Sequence, residues 1–70
     1  MYAIKEIGSR IFFYGIDHKY YPPRAKVSKM SHILQFYGTE DEARTMLSHI
    51  VRLTGRVDFE VVELKYRILQ

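Results

Sequence analysis

The sequence contains no cysteine and no tryptophan, and its two prolines stand side by side at positions 22 and 23. Without thiols the chain has no disulfide framework, no thiolate zinc site and no cysteine nucleophile. The four glycines are dispersed, so no glycine-rich loop is available to hold a phosphate group. No apolar run approaches the roughly 18 residues of a membrane span, and no signal-peptide pattern is present. These absences predict a soluble cytoplasmic protein with no membrane segment.

The composition that remains is typical of a small globular protein. Hydrophobic residues make up 47% of the chain and charged residues 27%. A chain of this length buries only about 60% of the surface that its unfolded form exposes, so a sizeable catalytic cavity is not expected. The serines lack a nucleophile-elbow context, and His18, His32 and His49 match no metal-ligand spacing. We therefore predict one domain over residues 1–70 that is not an enzyme and holds no metal or cofactor.

Alternation of apolar residues predicts three strands in the first half of the chain, at residues 2–7, 11–16 and 29–37. The second of these strands is apolar on both faces, which is typical of a central strand or of one whose second face binds a partner. Residues 17–28 lack such alternation, and two successive prolines cannot donate hydrogen bonds to a strand ladder. This segment is therefore predicted to be a long loop.

A helix is predicted after Gly38. Thr39 and Glu42 have the spacing of a capping box, in which each side chain accepts a hydrogen bond from the backbone N–H of the other residue. Gly55 stands where a left-handed C-terminal cap is needed. The apolar face recurs at three- and four-residue spacing and comprises Ala43, Met46, Leu47, Ile50 and Val51.

Two apolar alternations follow the helix, at residues 57–61 and 62–68. The apolar parity changes between Val61 and Val62, which predicts a β-bulge or a strand that passes from one partner to another. The whole order is β-β-β-α-β, and we expect an α+β fold with a mostly antiparallel sheet of about four strands. One helix covers only one face of such a sheet, so the other face is expected to expose aromatic residues, namely Phe13, Tyr14 and Tyr37.

Residues 18–39 carry four cations and no acid. Tyr20 and Tyr21 lie within this basic block, a combination that attracts either phosphate groups or acidic protein surfaces. The alternative is a solvated loop whose lysines only aid solubility. If the block binds a partner, the candidate residues are Lys19, Tyr20, Tyr21, Arg24, Lys26 and Lys29.

Three short motifs carry a resemblance to a class of proteins. They are Tyr2-x-Ile4-Lys5 at the start, Thr39-x-x-Glu42-Ala43 at the helix, and Val61-Val62-Glu63-Leu64 near the end. In this order the chain resembles small accessory proteins of bacteriophages and mobile elements, among which are anti-CRISPR inhibitors. The resemblance implies a rigid fold without an active site that blocks a host defence complex, and a location in the cytoplasm of a bacterial host.

The leading hypothesis is a non-enzymatic protein-binding module, an inhibitor or adaptor. Its partner would be a host protein or a protein–nucleic-acid complex, contacted through the basic aromatic block and the open sheet face. The alternative is direct binding of DNA or RNA by the same cations and aromatic rings, although no RNP-type signature or helix-turn-helix is present. A third hypothesis, compatible with either, is self-association as a homodimer through a strand edge or the aromatic face.

Overall fold

The computed structural model describes residues 1–29 and 35–64. These residues form four strands and one helix in the order β-β-β-α-β. The elements are β1 (Tyr2–Glu6), β2 (Phe12–Asp17), β3 (Arg24–Ser28), α1 (Glu40–Thr54) and β4 (Phe59–Glu63). All strand pairs are antiparallel, and the sheet has the order β3-β2-β1-β4. The predicted α+β class is confirmed.

Strand β1 lies between β2 and β4 but pairs with them unequally. Its five residues all pair with β4, whereas its register with β2 contains one pair, Lys5 with Phe12. Beyond that pair the segment 35–37 hydrogen-bonds to both strands. Tyr37 and Tyr2 exchange two backbone hydrogen bonds of 2.8 Å, and the Gln35 N–H donates to the Phe13 carbonyl oxygen at 3.4 Å. This segment therefore bridges β1 and β2 where their direct pairing ends.

The predicted boundaries of the third strand are wrong. Residues 24–28, assigned to a long loop, form β3, and the prolines lie just before the strand, where they remove no ladder hydrogen bond. Lys29, predicted to begin a strand, is in a bend. At the end of the predicted strand, Tyr37 forms an isolated antiparallel bridge with Tyr2. Residues 30–34, including His32, lie outside the described residues.

The β-bulge is in β2 and not in the last strand. The register between β1 and β4 is continuous from Phe59 to Glu63, so the predicted bulge between Val61 and Val62 is wrong. The parity change there reflects apolar residues on both faces of one regular strand. In β2 the pairing with β3 shifts between Phe13 and Gly15, which leaves Tyr14 as the extra residue. Residues 65–68 of the predicted last strand lie outside the described residues.

Both ends of α1 are capped as predicted. The Thr39 hydroxyl accepts a hydrogen bond from the Glu42 N–H at 3.1 Å, and the Glu42 carboxylate accepts from the Thr39 N–H at 3.2 Å. Gly55 has φ of 77° and donates its N–H to the Val51 carbonyl oxygen. Because L side chains rarely adopt this left-handed conformation, glycine is favoured at position 55.

The core lies between α1 and one face of the sheet. Its fully or nearly fully buried members are Ile4, Phe13, Ile50 and Phe59. The rings of Phe13 and Phe59 meet edge to face, with centroids 6.1 Å apart. Phe13 has no exposed surface, so its prediction as a contact on the open sheet face is wrong. It pairs with Val27 of β3, and both side chains pack on the core side of the sheet.

The apolar face of α1 is narrower than predicted. Ala43 and Ile50 are buried, and Met46 and Leu47 are half-buried. Val51, predicted to face the sheet, is 41% exposed. One residue beyond Ile50 the helix has turned about 100°, which places Val51 at the margin of the buried stripe.

Candidate functional site

The basic aromatic residues are held at the end of a β-hairpin. Strands β2 and β3 pair up to Asp17 and Arg24, and residues 18–24 form what we call the hairpin tip. The tip begins with an Asx-type turn, because the Asp17 carboxylate accepts a hydrogen bond from the Lys19 N–H at 3.0 Å. Residues 18–23, half of the predicted loop of twelve, are thus confined between two paired strand ends.

Tyr20 and Arg24 form a stacked pair within the tip. The guanidinium carbon of Arg24 lies 4.1 Å from the centroid of the Tyr20 ring, which is the geometry of a cation–π contact. This contact joins the first half of the tip to the start of β3 and limits the freedom of both long side chains. Tyr20 remains 46% exposed, so one side of the stacked pair is open to a partner.

Tyr21 is presented to solvent by the same tip. Its side chain is 100% exposed, and it is followed by Pro22 and Pro23, whose ring geometry fixes their φ angles. The Tyr21–Pro22 peptide bond is cis. A large aromatic ring in full contact with water is unusual in a chain with so little surface to bury, because its burial would stabilise the fold.

The tip bends over the C-terminal end of α1 and forms a groove there. This tip groove has a volume of about 460 Å³. One wall is the hairpin, and the other comes from the helix end and the chain that follows it. The lining residues are Tyr20, Tyr21, Pro22, Pro23, Arg24, Ala25, Thr54 and Arg56.

Arg56, on the second wall, is held by acids. Its guanidinium contacts the Glu6 carboxylate at 2.8 Å and the Asp58 carboxylate at 2.5 Å, and it stacks 4.4 Å from the centroid of the Phe59 ring. The hydrogen bond from Arg56 lowers the pKa of Asp58 below its usual value. Hydrogen bonds to Asp58 and Glu6 in turn raise the pKa of Arg56. Its charge is compensated inside the protein, which makes Arg56 a rigid wall of the groove.

Unlike Arg56, the cations of the hairpin form no ion pair with the described residues. Within residues 1–29 and 35–64, neither Arg24 nor Lys19 forms an ion pair. Lys26 is also unpaired in that part of the chain, and its side chain passes over Gly15, since a Cβ at that glycine would lie 3.8 Å from the Lys26 Cδ atom. The positive charge of the hairpin is therefore not neutralised by neighbouring acids.

The structure brings four of the six predicted binding residues together at the tip. These are Lys19, Tyr20, Tyr21 and Arg24. Lys26 lies two residues along β3 on its exposed side. Lys29 follows the far end of the strand, about 17 Å from Arg24 at 3.3 Å per residue, and does not belong to the tip.

The predicted sheet-face residues do not form one surface. Tyr14 is 36% exposed at the bulge of β2, whereas Phe13 is buried. Tyr37 packs against the core, and burial raises the pKa of its hydroxyl to about 12. Its hydroxyl donates a hydrogen bond to the Gln35 side-chain oxygen at 3.1 Å. Of the three, only Tyr14 is an exposed residue.

Comparison of the chain with protein-family models, with curated proteins and with solved structures finds no match. Among residues 1–29 and 35–64, no three acidic, histidine or cysteine side chains lie close enough together to hold a metal ion. In the same part of the chain, no helix has the length and apolar character that crossing a bilayer requires.

Proposed function

We propose that this protein is a non-enzymatic protein-binding module whose hairpin tip contacts an acidic surface on its target. In line with the sequence resemblance, we propose an inhibitor or adaptor of the phage or mobile-element type, acting in the bacterial cytoplasm on a host protein or a protein–nucleic-acid complex. The observation that carries the proposal is the full exposure of Tyr21 beside the stacked pair of Tyr20 and Arg24.

The residue types at the tip support a role in binding. Tyrosine and arginine dominate the energetics of protein interfaces, because they bury a large area and also donate hydrogen bonds. Side chains that are already ordered lose less conformational entropy on binding. The Asx-type turn at Asp17, the contact between Tyr20 and Arg24, and the two prolines each restrict the free tip. The tip is thus suited to contribute anchors at low entropic cost.

The charge of the hairpin supports an acidic target. Lys19, Arg24 and Lys26 form no ion pair within the described residues, so a target that supplies carboxylates gains contacts that the free protein does not satisfy. Complementary charge of this kind raises the rate of association and excludes basic partners.

Direct binding of nucleic acid is the second candidate, and the same unpaired cations favour it. The two candidates differ in their dependence on salt. Each phosphate contact made by a lysine or arginine releases counterions, so the affinity for DNA or RNA falls steeply and linearly with the logarithm of the salt concentration. A protein interface with a tyrosine anchor responds more weakly, because apolar burial is little affected by salt.

The target is to be identified by passing tagged protein over a lysate of a bacterial host, with and without nuclease. A defined protein that is retained after nuclease treatment and at moderate salt is the expected result. Nucleic acid alone, lost on digestion or at high salt, would contradict the protein-binding proposal in favour of the second candidate.

Variants then test the tip against the purified target. Tyr21→Ala and Arg24→Ala are each expected to weaken binding by at least about tenfold, the loss typical of an interface anchor. Arg10→Ala is the matched control, since Arg10 is an exposed cation in the turn at the opposite end of β2. It is expected to bind within about twofold of the native chain. Native-like binding by both tip variants would exclude the tip as the contact surface.

A further inference from the structure

A second groove lies at the N-terminal end of α1, where the chain enters the helix. This helix groove has a volume of about 580 Å³, inside the range of roughly 300–1,000 Å³ that is usual for binding pockets. One wall is the chain before the helix, and the other is one side of its first three turns. The lining residues are Phe36, Tyr37, Gly38, Asp41, Glu42, Thr45, Met46 and His49.

The walls of the helix groove are apolar and aromatic. Phe36 is 46% exposed, and Met46 and Tyr37 continue the apolar surface down to the core. Methionine side chains adapt readily to an incoming aromatic ring and make favourable sulfur–aromatic contacts. The groove therefore offers a surface on which a further aromatic side chain gains by burial.

The rim of the helix groove is acidic. Glu42 accepts hydrogen bonds from the backbone N–H groups of Gly38 and Thr39, so its carboxylate is held in place at the rim. Asp41 is exposed and forms no ion pair within residues 1–29 and 35–64. An occupant that fits this groove thus carries an aromatic group flanked by positive charge.

The hairpin tip has this chemistry. Tyr21 is a fully exposed ring, and Lys19 and Arg24 stand on either side of it in the sequence with no acid as an ion-pair partner in the described part of the chain. The prolines after Tyr21 add rigid apolar surface. The charges and the apolar groups of the tip and of the groove are therefore complementary.

The two surfaces cannot meet within one chain. The tip groove lies at Thr54 and the helix groove at Glu42, twelve residues apart on α1, or about 18 Å along the helix axis. The short strands β2 and β3 fix the tip at the C-terminal end of the helix. A tip that occupies a helix groove therefore has to come from a second copy of the chain.

We propose that the hairpin tip of one copy binds the helix groove of a second copy, with Tyr21 packed against Phe36 and the tip cations facing Asp41 and Glu42. The proposed contact is heterologous: each pair forms one contact of a tip with a groove and retains one free tip and one free groove. The proposal does not rest on the partner-binding function, but it has a consequence for it. A tip that occupies a groove is shielded, so self-association competes with target binding.

The first test is the mass of the native chain in solution. By sedimentation equilibrium at low salt, the average mass is expected to rise steadily with concentration from the 8.4 kDa of one chain and to pass twice that value, because open ends allow further addition. Higher salt should weaken the association through screening of the charged rim. A constant mass of one chain up to millimolar concentration would overturn the proposal.

The second test uses variants that each block one surface. Tyr21→Ser blocks the tip and Phe36→Ser the groove, and both side chains are exposed, so neither change should unfold the protein. Each is expected to weaken self-association about 30-fold, as for loss of an interface anchor. Ile7→Ser, at an exposed apolar residue in the turn between β1 and β2, is the matched control and should associate like the native chain.

Mixing the two blocked variants distinguishes a heterologous contact from any symmetric one. The Tyr21→Ser variant retains an intact groove and the Phe36→Ser variant an intact tip, so the mixture is expected to form a two-chain species with the affinity of the native contact and no larger assembly. If each variant is impaired but the mixture stays monomeric, the interface joins like surfaces and the proposal is wrong.

Discussion

Arg56 joins parts of the chain that are fifty residues apart in sequence. Its guanidinium donates hydrogen bonds to Glu6 at the end of β1 and to Asp58 before β4, while its planar face lies on the Phe59 ring. Arginine is suited to this position because its planar group makes parallel hydrogen bonds at its edge and a stacking contact on its face. The same side chain forms a wall of the tip groove, so it connects the fold to the candidate site.

The pair of Arg56 and Asp58 predicts a dependence of stability on pH. Because Arg56 holds the pKa of Asp58 below its usual range, folding favours the ionised carboxylate. The contribution is fully present above about pH 4, the ordinary value for an aspartate, and is lost as the pH falls through the lowered folded pKa. Asp58→Asn is therefore expected to unfold at lower urea than the native chain at pH 7, and the difference should narrow as the pH is lowered below about 4.

Glu63→Gln is the control for this prediction. Glu63 is exposed in β4 and forms no ion pair with the described residues, so its replacement removes a charge without removing a contact of that kind. Its urea midpoint at pH 7 should equal that of the native chain. An equal loss of stability in both variants would show that net charge and not the Arg56 contact determines the effect.

The sequence identified the residues of the tip but not those of the opposite wall of its groove. Charge and aromatic content in one short segment pointed to Tyr20, Tyr21 and Arg24. Nothing local marks Arg56 or Thr54, because the acid that fixes Arg56 from β1 is distant in sequence and meets it only when β1 and β4 pair. Groups brought together by sheet formation leave no periodic signal in a single sequence.

At the scale of elements, the helix was predictable because its signals are local. The reciprocal hydrogen bonds of Thr39 and Glu42 need only the right residue types three positions apart, and Gly55 meets a backbone requirement at one position. The β-strands depend on partners elsewhere in the chain. In β3, Ala25 and Val27 alternate with the cations Arg24 and Lys26. This alternation is short, and the two prolines before it favoured the prediction of a loop. The bulge in β2 depends on its pairing with β3 and has no signal of its own.

The capping box predicts a specific loss of helix stability. Thr39→Ala removes the hydroxyl that accepts from the Glu42 N–H and should lower the free energy of unfolding by about 1 kcal/mol. Thr39→Ser keeps an equivalent oxygen and should unfold within about 0.3 kcal/mol of the native chain. Urea unfolding followed by circular dichroism at 222 nm gives both values. Equal stability of the two variants would contradict a stabilising role for this hydrogen bond.

At the scale of the whole molecule, stability depends on a very small core. Four large side chains are buried among the described residues, and they come from β1, β2, α1 and β4. Phe13 of β2 lies among them, and its ring contacts the ring of Phe59 from β4 on the same face of the sheet. Each core residue thus joins separate elements, and no second buried cluster is present among residues 1–29 and 35–64 to compensate for its loss.

The smallness of the core gives the last prediction, which contrasts two adjacent aromatic residues of β2. A chain of this length has a free energy of unfolding of only about 4–10 kcal/mol. Phe13→Ala removes a fully buried ring and should cost about 3–5 kcal/mol, enough to unfold much of the population at 37 °C. Tyr14→Ala alters the exposed bulge residue beside it and should leave the protein folded, at a cost of less than about 1 kcal/mol. Amide dispersion in two-dimensional NMR spectra distinguishes the folded from the unfolded chain. A well-dispersed spectrum for Phe13→Ala at 37 °C, with unfolding no easier than for Tyr14→Ala, would show that the fold does not depend on this ring.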